Sequence, residues 1–286
     1  VVPEITTAAA NNPPTINEVS LNSKGAINLI ENTTIDIMAS ASVTDQDGCA
    51  NISGVKAIVY RYSSYTASCS NNLNNCYDED QFNCVADGSC VSNTQNYNCY
   101  ASSSMQFFAD PTAALTSYSS DQWVVTVIAS DSYWADTTSN SFDDNDETPV
   151  EVNELTALTI TAGDPINYGT VVAGQNTGGT NQQVTVKNTG NRGIDVYLQG
   201  TNLTGACGTI AVGNQEYNNT TPFSWGSGTD LTGSNVRYMN GSVSWLKPAS
   251  TTPITNNIWW GIGVPEGTGS GTCSGTNTFT ATQDNN

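Results

Sequence analysis

The chain has 286 residues, with seven Lys or Arg, 26 Asp or Glu and no histidine, so its formal net charge is −19. Without histidine it cannot form a Ser-His-Asp or Cys-His catalytic site, and its negative charge repels nucleic acid and anionic lipids. Charged residues are only 12 % of the total, so Ser, Thr, Asn and Gly must supply much of the polar surface. This composition is typical of turn-rich β proteins and predicts a non-enzymatic protein with no nucleic-acid partner.

The start of the chain and its hydropathy suggest export from the cell. The sequence opens at Val1 without methionine, a basic segment or an apolar segment, as expected if a secretory signal has been removed. No run of about 18 apolar residues occurs, which predicts the absence of a transmembrane segment. We expect an extracellular or cell-surface protein.

Residues 1–14 are predicted to form an extended N-terminal arm, because Asn-Asn-Pro-Pro at 11–14 disfavours a helix. Such an arm could be arranged in two ways. It could pack on its own domain, or it could add a strand to an open sheet edge of another copy and bury apolar side chains there. In the second case the polymerisation residues are Val1, Val2 and Ile5.

Residues 15–150 are predicted to be an acidic immunoglobulin-like domain. Apolar residues alternate with polar ones over 33–43, and further β-prone runs span 55–62 and 122–130. Up to residue 154 there are twenty acidic residues and three basic ones, a net charge of −17, whereas the rest of the chain has six against four, a net of −2. An anionic surface of this kind attracts cations.

Six of the eight cysteines lie in the first domain, around a cysteine-rich insert over 63–104. Their spacing matches no zinc or iron–sulfur pattern, so we expect disulfides, and the fifteen possible pairings remain open. The insert contains too little apolar material for a core, so disulfide bridges are expected to determine its shape. These cysteines are Cys49, Cys69, Cys76, Cys84, Cys90 and Cys99.

Several carboxylates are candidates for calcium binding, although no cofactor is expected to be essential. Asp45 and Asp47 precede a glycine turn, and Glu31 and Asp131 could meet at one end of a β-sandwich. Asp143, Asp144 and Asp146 lie near the domain junction. The alternative is that all of them are solvated loop carboxylates.

Residues 151–286 are predicted to form a second β-sandwich, because about seven short strand candidates alternate with turns. Cys207 and Cys273 would form one disulfide in this domain. The strand candidates are 155–161, 182–187, 194–199, 207–212, 242–246, 258–264 and 276–282. The predicted fold is therefore all-β, with two tandem β-sandwich domains.

Two segments of the first half are similar to the immunoglobulin-like domain of secreted surface proteins from uncultivated ultra-small bacteria and archaea: ENTTIDIMASASVTDQDGCANISGVKAIVYR and FFADPTAALTSYSSDQWVVTVIASDS. The second half resembles the module that follows that domain, through ITAGDPINYGTVVAGQNTG, VTVKNTGNRGIDVYLQGTNLT and WWGIGVPEGTGSGTCSGTNTFTATQ. The resemblance implies secreted, modular β-sandwiches at the cell surface and supplies no catalytic residues.

Surface features leave two functional hypotheses. The first is a structural subunit of a pilus-like or sheath-like filament, in which the chain's partner is another copy of itself. The second is a non-polymeric adhesin that binds surface glycans or neighbouring cells, for instance through Trp259 or Trp260, which are adjacent in a strand candidate and so point to opposite faces. An exported protein could also carry sugars at its six acceptor sequons, at Asn32, Asn51, Asn202, Asn218, Asn219 and Asn240.

Overall fold

The chain forms two compact units, Val1–Glu154 and Leu155–Asn286. A computed structural model describes residues 10–64, 72–78, 82–101, 104–131, 136–140, 149–241, 245–252 and 254–284. The predicted boundary between 150 and 151 lies close to this division. Val150 and Val152 are buried and form isolated bridges with Trp123 and Ile27, so the segment around them belongs to the first unit.

Both units are built from β-strands, and the all-β prediction is confirmed. Within the described ranges the helices are single 3-10 turns, at Asn22–Lys24, Cys49–Asn51, Tyr62–Ser64, Val212–Asn214 and Tyr238–Gly241. The strands of the first unit are β1 Thr15–Leu21, β2 Thr34–Ile35, β3 Met38–Thr44, β4 Ile52–Arg61, β5 Cys76–Tyr77, β6 Phe82–Val91, β7 Thr94–Ala101, β8 Met105–Gln106, β9 Trp123–Asp131 and β10 Asp136–Asn140. Those of the second are β11 Leu158–Ala162, β12 Gln182–Asn188, β13 Ile194–Gly200, β14 Leu203–Gly205, β15 Gly208–Ile210, β16 Gln215–Asn218, β17 Thr229–Asp230, β18 Val236–Arg237, β19 Thr255–Ile262, β20 Cys273–Ser274 and β21 Asn277–Gln283.

The first unit is dominated by one antiparallel sheet with the strand order β1-β3-β7-β6-β4-β9-β10. The sheet curves so that β1 contacts β9 and β10, which creates two layers around a core. Strand β3 alternates buried and half-buried side chains as its sequence predicts, whereas β9 is buried on both faces over much of its length. The core includes Val19, Leu21, Ala39, Val43, Ala57, Val59, Trp123, Val125 and Val127.

The cysteine-rich insert contributes two long strands to the sheet, which the sequence did not predict. Strands β6 and β7 form a hairpin whose two turn residues, Ser92 and Asn93, both have positive φ angles of 51° and 66°. A two-residue turn of this kind matches the twist of a β-hairpin. Much of β6 carries exposed side chains, so backbone pairing rather than apolar burial defines this hairpin.

The second unit stacks a five-stranded sheet, β11-β12-β19-β16-β17, against two three-stranded sheets, β18-β13-β21 and β15-β14-β20. Its core is aromatic: the ring centroids of Tyr217 and Trp260 are 5.6 Å apart, and those of Tyr238 and Trp245 are 5.8 Å apart. Because β19 and β12 pair along their length, apolar side chains from both meet in this core.

Most strand candidates of the second half correspond to observed strands, with two differences. The candidate over 207–212 is reduced to the three residues of β15, after which the chain turns through a 3-10 helix at Val212–Asn214. Of the candidate over 242–246, residues 242–244 lie outside the described ranges. Trp245 forms an isolated bridge with Ile194.

A buried ion-pair network joins β4 to the loop that precedes β9. Arg61 donates from Nε to Asp110 Oδ2 at 3.1 Å and from Nη1 to Asp121 Oδ2 at 2.5 Å, and its guanidinium lies 4.0 Å from the centroid of the Tyr118 ring. Ser63 also donates to Asp121. Burial raises the pKa of Asp121, but the hydrogen bonds from Ser63, Gln122 and Arg61 outweigh it and lower that pKa below the usual value.

We predict that Asp121→Asn destabilises the first unit by about 3 kcal/mol, because it removes one partner of a buried charge pair. Since the folded pKa of Asp121 is depressed, its stabilising contribution is present above the ordinary aspartate pKa of about 4 and is lost as pH falls below that value. The variant should therefore lose less stability than the wild type on acidification. Urea denaturation at pH 7 and at pH 3 measures both effects, with the exposed Glu18→Gln as the control.

Candidate functional site

The candidate site is a groove of about 700 Å³ in the second unit. One wall comes from the five-stranded sheet, through Ile160 of β11, Val184 of β12 and Ile262 of β19. Phe279 of β21 contributes from the sheet β18-β13-β21. Strands β11 and β21 are edge strands of their sheets, so the groove lies where the two layers of this unit end.

The rest of the groove is lined by the third sheet and by one loop. Leu203 of β14 and Ile210 of β15 are both buried and form a small apolar cluster with Ile262 and Cys207. The loop over 163–173 supplies half-buried side chains such as Ile166 and Val171, and contains a cis peptide bond between Asp164 and Pro165. The lining therefore combines these apolar side chains with polar side chains and backbone groups.

The polar groups in the groove are nearly all uncharged. Tyr168 donates its hydroxyl proton to Gln215 Oε1 at 3.1 Å, and Asn277 Nδ2 donates to the same oxygen at 2.9 Å. Burial raises the pKa of Tyr168, which keeps the phenol neutral. Among the lining residues the one charged side chain is Asp164, which is exposed. The groove thus suits a neutral or apolar segment, and the edge of β21 could offer it backbone hydrogen bonds.

Sequence reasoning did not identify this groove. It did place a strand over 276–282, and the alternation of Phe279 and Ala281 with threonines indicates a strand with one apolar face. The other sequence feature that could have indicated the groove is the Gly- and Asn-rich stretch between β11 and β12. It separates two strands of the same sheet by a long loop.

Disulfide bonds are present in both units. Cys207 and Cys273 are bonded to each other across 66 residues, with Cα atoms 5.6 Å apart, and both line the groove. In the first unit Cys84 pairs with Cys99, directly opposite in the β6–β7 ladder, and Cys49 pairs with Cys90. Cys76 is also disulfide-bonded, while Cys69 lies outside the described residues.

The predicted calcium residues are found in different surroundings. Asp45 and Asp131 are buried, Asp47 is exposed in the turn after β3, and Glu31 is exposed in the turn before β2. In the part of the chain that the structure describes, no group of three His, Cys, Asp or Glu side chains is arranged to hold a metal ion. Three more of the predicted residues lie outside that part: Asp143, Asp144 and Asp146.

The two adjacent tryptophans point to opposite faces of β19, as strand geometry requires. Trp260 is fully buried in the core of the second unit, whereas Trp259 is half-buried on the other face. Trp259 is therefore the one of the pair that a sugar could reach.

The glycosylation sequons differ in accessibility. Asn32, Asn202 and Asn219 are exposed, whereas Asn51 and Asn218 are half-buried. Asn51 Nδ2, the atom that would carry a sugar, donates to the backbone oxygen of Asp47 at 2.9 Å. The side chain of Asn240 lies outside the described part of the chain, and so do the polymerisation candidates Val1, Val2 and Ile5.

No family model and no curated protein matches the chain. Its fold has a distant likeness to a chain of the CsuC–CsuE chaperone–tip adhesion subunit pre-assembly complex, from archaic chaperone-usher Csu pili of Acinetobacter baumannii. That chain is 12 % identical, with 92 % of this chain and 99 % of that chain covered and a TM-score of 0.38. A chain of a chaperone–tip adhesin complex of CFA/I fimbriae biogenesis is 10 % identical, with 96 % and 92 % covered and a TM-score of 0.29. Similarity at this level assigns no function to the chain.

None of the helices in the described segments is long and apolar enough to cross a membrane.

We predict that replacing Cys207 and Cys273 together by serine lowers the free energy of unfolding of the second unit by about 4 kcal/mol, as the chain-entropy model assigns to a loop of this length. Differential scanning calorimetry of the full chain should show one transition shifted to lower temperature. The paired variant Cys49→Ser/Cys90→Ser should shift the transition of the first unit instead. Equal shifts of both transitions by either variant would contradict this assignment.

Proposed function

We propose that the protein is a structural subunit of an extracellular surface filament, pilus-like or sheath-like, assembled head-to-tail from copies of itself. Residues 1–9 of one copy would add a strand to the groove of the next. The observation that supports this most directly is the nearly uncharged groove, partly lined by apolar side chains, beside two edge strands, β11 and β21. A contact between two different surfaces does not close on itself, so repetition yields a fibre.

Strand addition fits the chemistry of the groove. An incoming strand would form backbone hydrogen bonds with the edge of β21, and its apolar side chains would cover the half-buried Phe279 and Ile166. The candidate donor, VVPEITTAA, carries Val1, Val2 and Ile5 and a single charged side chain, Glu4. Strand β21 spans seven residues, roughly 23 Å, which a nine-residue donor can match.

The covalent framework supports a location outside the cell. Disulfides persist in oxidising compartments, and a subunit exposed to solvent and mechanical load benefits from cross-links within each unit. The resemblance to secreted surface proteins of uncultivated ultra-small bacteria and archaea points to the same location. We therefore assign the filament to the cell surface.

We predict that the purified full chain forms regular fibres and that deletion of residues 1–9 yields folded monomers. The deletion leaves residues 10–14 in place, because Asn11 and Asn12 hydrogen-bond to the first unit and belong to its fold. Negative-stain microscopy and light scattering measure the assembly. A synthetic peptide VVPEITTAA should bind the truncated chain in a fluorescence polarisation assay.

Two adjacent valines provide a matched pair of variants. Val171 lines the groove, whereas Val172 is outside it and 67 % exposed. Val171→Asp should abolish assembly and peptide binding, because it places a charge where an apolar strand must pack, and Val172→Asp should assemble like the wild type. Fibres that persist after the deletion would refute strand donation.

A full chain that stays monomeric would favour the second hypothesis, a non-polymeric adhesin. The half-buried Trp259 is the side chain that supports this alternative. Binding to a glycan array that is lost in Trp259→Ala would then identify the sugar-binding face.

A further inference from the structure

At one end of the first unit, residues 10–14 contact the turn after β3 and the last residue of β9. The pairing of β1 with β3 begins at Thr15 and Thr44, so the residues before Thr15 run alongside those after Thr44. Asn12 donates its backbone N–H to Asp47 Oδ2 at 2.7 Å, and Asn11 Nδ2 donates to Asp131 Oδ2 at 2.6 Å. Two asparagines of the N-terminal arm therefore bridge two aspartates of the unit.

Two oxygen acceptors in this region are buried without a donor. Asp45 is fully buried, and its Oδ1 accepts the N–H of Asp47 at 2.8 Å, which holds the carboxylate over the same turn that Asn12 contacts. No residue that the structure describes donates a hydrogen bond to Asp45 Oδ2 or to Asn11 Oδ1. A buried carboxylate oxygen left in this state is costly, so a positive charge or a donor is needed there.

The chemistry of these groups selects the class of cation. The ligands available are carboxylate and amide oxygens, the sequence contains no histidine, and no cysteine of the described chain is free. Oxygen ligands of this kind suit calcium, which accepts six to eight of them from carboxylates, amides, backbone carbonyls and water in flexible geometry. Zinc prefers nitrogen and sulfur ligands.

We propose that Asp45 Oδ2, Asn11 Oδ1 and the carboxylate of Asp131 form a calcium site, completed by backbone carbonyls and water. Because the side-chain ligands are two carboxylates and one amide, this site does not require a cluster of three acidic side chains. The ion would fasten the root of the N-terminal arm to the first unit, and so fix where residues 1–9 leave it. The site contains neither those nine residues nor any part of the groove, and so stands independently of the filament proposal.

The experiment is a calorimetric titration of CaCl₂ into the chelator-treated full chain. We expect saturable binding in the wild type, and an affinity reduced roughly tenfold or more in Asp45→Asn and in Asn11→Ala. The control Asp87→Asn removes an exposed carboxylate of the same unit and should bind as the wild type does. The chain lacking residues 1–9 should also bind with unchanged affinity, whether or not it assembles.

A second measurement separates a metal ligand from a merely structural aspartate. Because Asp45→Asn replaces a buried carboxylate whose Oδ2 has no donor among the described residues, the melting temperature of this variant without calcium should equal or exceed that of the wild type. The increase in its melting temperature on adding calcium should be lost, and calcium should slow amide exchange over residues 10–12 only in chains with Asp45 intact. No binding at millimolar calcium, or wild-type affinity in Asp45→Asn, would overturn the proposal.

Discussion

Antiparallel pairing between strands that are distant in the sequence is the constraint on which both units depend. In the first unit β4 pairs with β9 from Ile52 and Asp131 to Arg61 and Trp123, across the whole cysteine-rich insert. In the second, β13 pairs with β21 near the other end of the unit. Each such ladder closes a long loop, and the entropy of that closure opposes folding before any core has formed. In the second unit the Cys207–Cys273 disulfide joins the segment after β13 to the segment before β21, and so reduces the freedom of the unfolded chain.

Electrostatics distinguishes the two units. The first carries many aspartates and only three basic residues, and Arg61 is committed to Asp110 and Asp121. That network shows how the fold buries carboxylates when it has a cation for them. Asp45 is buried without such a partner among the described residues. The contrast between these two places, rather than the number of acidic residues, is the reason to look for an external cation at one of them.

The sequence predicted those parts of the fold that rest on local patterns. Alternation located β3, and β-prone runs located β4, β9, β12, β13 and β19 to within a few residues. The β6–β7 hairpin was missed because its side chains are largely polar and exposed, so it leaves no apolar period in the sequence. Asp45 and Asp131 are calcium candidates from the sequence, but Asn11 is not, because nothing in the sequence shows where on the first domain the arm would pack.

The groove could not be predicted from local patterns, because it is a property of two sheet edges taken together. Neither the sequence of β11 nor that of β21 indicates that each is the last strand of its sheet. An edge strand beside an open groove is a liability, since its backbone groups can pair with any extended chain. Natural sheets commonly protect such edges with charge, yet Asp164 is the one charged side chain lining this groove. If the proposed strand donation is right, this weakly protected edge is the place where a donated segment would pair, and the nine residues before Ala10 carry only one charged side chain, Glu4.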